Sequence, residues 1–250
     1  MGAIVPAAVA PLPRQARQSA GLRRRDHVFY SGMAFAVAAL VVVGFSPTFF
    51  LRSYFGGPEL TPLRIAHGSA FTAWVALFVV QTLLVATRRT PVHRRLGVAG
   101  AVLAVAMVGL GVALAISAAR AGRAPPGQEP RAFLAIPLFD LATFAPLVAA
   151  AIWFRGRPET HKRLMLLATL SILGAAAGRL PPAAVYGPLF FFGVVDVLVL
   201  AGPVYDLATR RRVHPAYVWG GLLIILSQPL RLVLSGTAAW LAFAGMLIGR

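Results

Sequence analysis

Six polar side chains stand within otherwise apolar stretches of this sequence: His67, Asp140, Arg179, Asp196, Gln228 and Arg231. An ionised group in such surroundings costs about 2.5–3.5 kcal/mol on insertion scales, so each one requires a partner or water. Two carboxylates and two guanidiniums predict ion pairs of Asp140 and Asp196 with Arg179 and Arg231. His67 adds a group that titrates near neutrality. Together the six predict a polar pocket that binds or moves a small solute, a lipid headgroup or a proton. The competing reading is an ionic lock that fixes packing and binds nothing, since buried pairs contribute little net stability.

A second set of residues suggests other chemistry. His93-Arg94-Arg95-Leu96 and His161-Lys162-Arg163-Leu164 repeat one pattern, each after a turn containing proline (Pro91, Pro158), with His214-Pro215 as a looser third copy. Two neutral histidines at matching depth, with Arg for the propionates, are what a b-type haem requires. Haem b or quinone held by His93 and His161 is therefore the alternative cofactor reading. Both histidines open helices among cations, which favours solvated anchors, and the leading expectation is no cofactor and no metal. There is no cysteine. Disulfides, iron–sulfur ligation and thiol catalysis are thus excluded. No phosphate-binding glycine loop, zinc-spaced His/Glu pair or serine nucleophile motif is present, so no catalytic residue is predicted and a non-enzymatic role is favoured.

The elements that must position these groups follow from composition. Of the 250 residues 58% are hydrophobic and 12% charged, where a soluble domain carries about a quarter charged. Mean hydropathy is +0.77. The expected fold is all-α, a polytopic transmembrane bundle of about seven spans. A span needs about 20 apolar residues, which places helices near 28–46, 63–86, 96–119, 132–154, 163–180, 188–207 and 217–234. Residues 1–27 read as a disordered basic tail, and 28–250 as one transmembrane domain. The stretch 236–250 is too short for an ordinary span and reads as an interfacial segment anchored by Trp240, or a short eighth span.

The net charge of +17 invites a nucleic-acid reading. However, 16 of the 24 cations fall in the tail and in alternate loops, at Arg14–Arg25, Arg88–Arg95, Arg155–Arg163 and Arg210–Arg212. That is positive-inside patterning, not a basic stripe. It predicts a cytoplasmic N-terminus and multi-pass insertion in a bacterial inner membrane, with the lipid bilayer as partner, possible small-molecule or lipid ligands, and no nucleic acid. The bare charge at Asp206 reads as an interface ion pair. By depth, the six apolar-stretch residues fall in the outer leaflet. A membrane scaffold or assembly factor is the remaining alternative.

The run from His67 through His93-Arg94-Arg95-Leu96-Gly97, about 40 residues, resembles uncharacterised bacterial predicted-membrane-protein families. These carry a His in one span and a His-Arg-x-x-Gly-like opening of the next. Here Leu96-Gly97 follows the basic pair without an aromatic Gly-Arg-x-Tyr continuation. The resemblance implies a helical membrane fold and no particular activity.

Overall fold

Proline sets where the helices begin. Pro62, Pro130, Pro158, Pro181, Pro188 and Pro215 each occupy the first position of a helix, where the missing N–H costs nothing and the fixed φ suits the first turn. In the computed structural model, which describes residues 14–57 and 59–249 (side chains from residue 21), the chain folds entirely into helices and connections. The helices are α1 (Arg14–Phe45), α2 (Pro62–Ala86), α3 (Thr90–Arg120), α4 (Pro130–Phe133), α5 (Ala135–Trp153) and α6 (Pro158–Ser171). They continue as α7 (Gly174–Ala177), α8 (Pro181–Tyr186), α9 (Pro188–Arg210), α10 (Pro215–Ser235) and α11 (Ala238–Ile248). A π-helical turn, Ser46–Phe50, closes α1 around Pro47. There is no strand among the described residues.

Six helical segments are long and apolar enough to cross a membrane: Gly21–Phe50, Pro62–Ala86, Thr90–Arg120, Pro130–Gly156, Pro188–Arg210 and Pro215–Ser235. Their outer faces carry apolar stripes at helical spacing. Val98, Val102 and Val105 are exposed on α3, as are Val197, Leu200, Val204 and Leu207 on α9. Exposed apolar area on this scale identifies lipid as the solvent. The protein is a multi-pass helical membrane protein.

The expected fifth span is not a continuous helix. α6 ends at Ser171, two residues interrupt it, and α7 adds one turn. The Ser171 hydroxyl donates to the Ala168 carbonyl at 2.8 Å. Gly174 and Gly178 supply poor helix formers just beyond. The broken element still traverses the bundle: Arg163 near its start bonds Asp206 at the foot of α9, whereas Ala176 abuts Gly44 near the far end of α1. It is also the core. Leu166, Leu167, Ala168, Thr169 and Leu170 are all 0% exposed, and five consecutive residues cover more than a full turn, so this stretch of α6 shows no face to lipid.

Other boundaries differ too: α3 begins at Thr90 and α6 at Pro158, earlier than the expected 96 and 163. α1 begins at Arg14, so residues 14–27 of the anticipated disordered tail are helical; residues 1–13 lie outside the described residues. Helix continues there because residues 14–27 contain no proline and Gly21 is their one poor helix former. At the other end, α11 is an 11-residue helix that never returns across the bundle. Arg120 at the end of α3 donates to the carbonyls of Ile248 and Leu247 at 3.2 and 3.1 Å, and Trp240 Nε1 donates to the Arg131 carbonyl at 2.9 Å. Both ends of α11 therefore lie on the face opposite the basic clusters.

Candidate functional site

Asp140 and Arg231 meet in the half of the bundle away from the basic clusters. Asp140 projects from α5 and Arg231 from α10, and the guanidinium donates from Nη1 to Asp140 Oδ1. Arg231 is 1% exposed and Asp140 9%. Its other nitrogens are engaged as well: Nε to the Ser227 carbonyl at 3.2 Å, Nη2 to Ser227 Oγ at 2.8 Å, and Nη1 also to the Ile136 carbonyl at 3.3 Å. Phe139 and Phe192 pack their rings 5.7 and 5.3 Å from it. One turn back on α10, Gln228 Nε2 donates to Asp196 Oδ1 of α9 at 2.8 Å. Pro146, Pro203 and Pro229 interrupt the hydrogen-bond ladders of α5, α9 and α10. The break between α6 and α7 lies beside the pair, for a Cβ at Gly174 would sit 3.9 Å from Asp140 Oδ2.

The expected pairing scheme is only half met. Asp140–Arg231 forms. Asp196 takes Gln228 in place of Arg179, and Arg179 turns the other way. Its Nη1 donates to the Ala175 carbonyl at 2.5 Å, and its charge lies 4.1 Å from the Phe45 ring on α1. His67 stacks on Phe71 at 4.2 Å, and its buried Nδ1 has no hydrogen-bond partner among the described residues. The six residues therefore resolve into two pairs one turn apart along α10, Asp140–Arg231 and Asp196–Gln228, with His67 and Arg179 held apart.

His93 and His161 do come together, their ring centroids 6.2 Å apart and nearly perpendicular. His161 Nδ1 contacts the Ala151 carbonyl at 2.8 Å, and Gln81 Nε2 donates to the His93 carbonyl at 3.1 Å. The Nδ1 of His93 and the Oε1 of Gln81 are buried without hydrogen-bond partners among the described residues. Metal–N bonds of about 2 Å on either side of one ion, extended by half of each ring, put two centroids roughly 6 Å apart. No group of three or more His, Asp or Glu among the described residues is arranged to hold a metal.

The densest polar cluster lies at the basic end. Arg163 grips Asp206 in a fork, Nε to Oδ2 at 3.0 Å and Nη2 to Oδ1 at 2.5 Å, and both side chains are fully buried. Its third nitrogen reaches the carbonyl and the carboxylate of Glu159, each at 2.7 Å. Arg210 holds Asp26 at 2.8 and 2.7 Å. Lys162 bridges Asp26 and Glu159 at 2.6 Å each, and the Tyr205 hydroxyl donates to Asp26 at 2.6 Å. Three carboxylates thus meet three cations from α1, α6 and α9. Asp206 was expected as an interface ion pair; it is a buried one. Three acids among the cations of the loops and helix feet were the available signal.

His214 caps α10 beside this network. Its Nδ1 accepts from the Ala216 N–H at 3.1 Å, and its own N–H donates to Asp206 Oδ2 at 3.1 Å. Burial, and then the nearby Arg163 charge, push the imidazole below its ordinary value of 6.5. Protonation of Nδ1 would also abolish the cap. The unfolded chain takes up the proton near pH 6.5 and the folded one only lower, so stability present above 6.5 is lost as the pH falls through that window. Thermal unfolding should show this loss, about 1 kcal/mol in cap terms, in the wild type. His214→Asn, which caps without titrating, should lack it.

This chain matches no family model, no curated protein and no solved structure.

Proposed function

We propose that this chain is a multi-pass protein of the bacterial inner membrane, N-terminus in the cytoplasm, that holds a proton or small cation at its Asp140–Asp196 site without catalysing a reaction. The observation that carries the reading is the buried Asp140–Arg231 pair beside the interrupted α6–α7 element. Irregular backbone next to buried ionisable groups is how helical membrane proteins make room for ions and small solutes. The chemistry also narrows. Every nitrogen of Arg231 is engaged by protein, which disfavours an anionic solute or headgroup. The uncommitted groups are carboxylate oxygens: Asp140 Oδ2, and the second oxygen of Asp196, take no hydrogen bond among the described residues. Asp196 pairs with the neutral Gln228 and with no cation among the described residues, so its carboxylate attracts positive charge.

Thermal unfolding of the purified protein tests this, read against sodium, potassium and ammonium ions and across pH. A cation present at a hundredfold excess over its Kd stabilises by about 2.7 kcal/mol, roughly 5–10 °C for a chain of this size. Asp140→Asn keeps the shape and an acceptor for Arg231 while removing the charge, so the response should vanish with the fold retained, and Asp196→Asn should weaken it. If the wild type and both variants respond identically, the carboxylates act only as a packing lock and the scaffold reading stands. The second reading, haem through His93 and His161, rests on their 6.2 Å ring spacing. A Soret band in the same sample, lost in His161→Ala, would establish it.

A further inference from the structure

The seam between α1 and α9 is open at two levels. At the basic end, a cavity of about 650 Å³ is lined by Gly21, Arg24, Arg25, Val28, Phe29 and Tyr205. Its floor is the Phe29–Tyr205 stack, with centroids 4.1 Å apart and rings 5° from parallel. Further along the same seam, a second cavity of about 650 Å³ is bounded by Ala36, Leu40, Leu189, Phe190, Val194 and Val197, among others, and its lining is apolar apart from Tyr186. The helix rise of 1.5 Å per residue puts Ala36 about 12 Å beyond Val28. The near edge of the second cavity thus lies within the ~15 Å depth of one leaflet, while its far wall at Leu189 continues toward the opposite end of α9.

We infer that this seam binds an anionic phospholipid, its phosphate between Arg24 and Arg25 and one acyl chain running along α1 and α9 toward Ala36. Charge selects the occupant. Both guanidiniums are exposed, and neither has an ion-pair partner among the described residues, whereas the neighbouring Arg210 and Lys162 are neutralised by Asp26 and Glu159. An unneutralised pair of cations above an apolar channel matches an amphiphile with a negative head. A zwitterionic head brings its own cation and loses most of that attraction, and a water-soluble phosphate has nothing to fill the channel. Basic pockets between helices at the cytoplasmic leaflet are the general setting for such recognition. Tyr205 ties the site to the ionic network, since the ring that floors the cavity also donates its hydroxyl to Asp26.

The test uses the full chain in mild detergent, titrated with phosphatidylglycerol, phosphatidylcholine and inorganic phosphate, and read by native mass spectrometry and thermal unfolding. Phosphatidylglycerol should be retained as a discrete 1:1 adduct and raise Tm, with at least tenfold weaker retention of phosphatidylcholine and no effect of phosphate. Arg24→Gln/Arg25→Gln should reduce the adduct at least fivefold. Arg88→Gln/Arg89→Gln removes the same charge from the α2–α3 turn and should leave the adduct unchanged. Gly193, which has open space at its Cβ position and lines the apolar cavity, provides a charge-neutral probe: Gly193→Leu should also weaken retention. Equal losses in the two arginine double variants, equal retention of both lipids, or stabilisation by phosphate alone would overturn the assignment.

Discussion

Arg163→Met should lower stability by about 3–5 kcal/mol, the cost of leaving a buried charge without its partner. For a chain of this size that is a fall in Tm of roughly 6–20 °C. Arg163 is the hinge of the basic-end network. It supplies the fork to Asp206, two bonds to Glu159, and a charge 5.4 Å from the Tyr217 ring. Without it, the fully buried Asp206 retains, among the described residues, only Arg210 at 3.3 Å and the His214 backbone N–H at 3.1 Å. The physics of buried pairs adds a second result. Removing both charges, as in Arg163→Met/Asp206→Leu, should recover most of the loss, because the penalty belongs to the orphaned ion and not to the absence of the pair. Thermal unfolding of the wild type, the single and the double variant decides this. A double variant no better than the single would mean that the network contributes directional bonds beyond neutralisation.

Gly44→Ala should destabilise by about 1–3 kcal/mol, the ordinary cost of forcing a methyl group into a packed site. Near the end of α1, a Cβ at Gly44 would run into the carbonyl oxygen of Ala176 and lie 3.0 Å from its carbonyl carbon. The obstacle is backbone, so no rotamer relieves it, and α1 must move away from α7. Gly32, three turns earlier on the same helix, has nothing within 4 Å of its Cβ position. The same substitution there should be neutral or stabilise by up to about 1 kcal/mol, the helix-propensity gain of Ala over Gly. Opposite signs for one chemical change on one helix, measured as Tm, would locate the contact between α1 and the broken element. Equal effects would remove it.

Most of the span pattern was legible because it depends on quantities that sum along the chain. Hydropathy windows located the long helices, although the polar openings of α3 and α6, from Thr90 and Pro158, fell outside those windows. The alternation of basic loops predicted that Arg94 and Arg163 share an end, and the structure brings His93 and His161 together there. The interruption after Ser171 was not legible, since an apolar average is blind to whether the backbone inside it is helical. Site partners failed for a related reason. Depth along a helix is one coordinate, and pairing needs the azimuth as well. Arg179 and Asp196 were placed in one layer, but one faces Phe45 and the other faces Gln228. Asp140 and Arg231 matched in both. The burial of Asp206 was invisible for the same reason: nothing in the residues around it states that α6 passes directly beside α9.

The enclosure of residues 166–170 on all sides has a consequence for how the polypeptide is made. These residues have no lipid contact in the finished protein, yet they are apolar enough to rest in the bilayer alone, and α9 and α10 emerge from the ribosome after them. The lipid around this turn is therefore exchanged for protein late, when its later-synthesised neighbours pack against it.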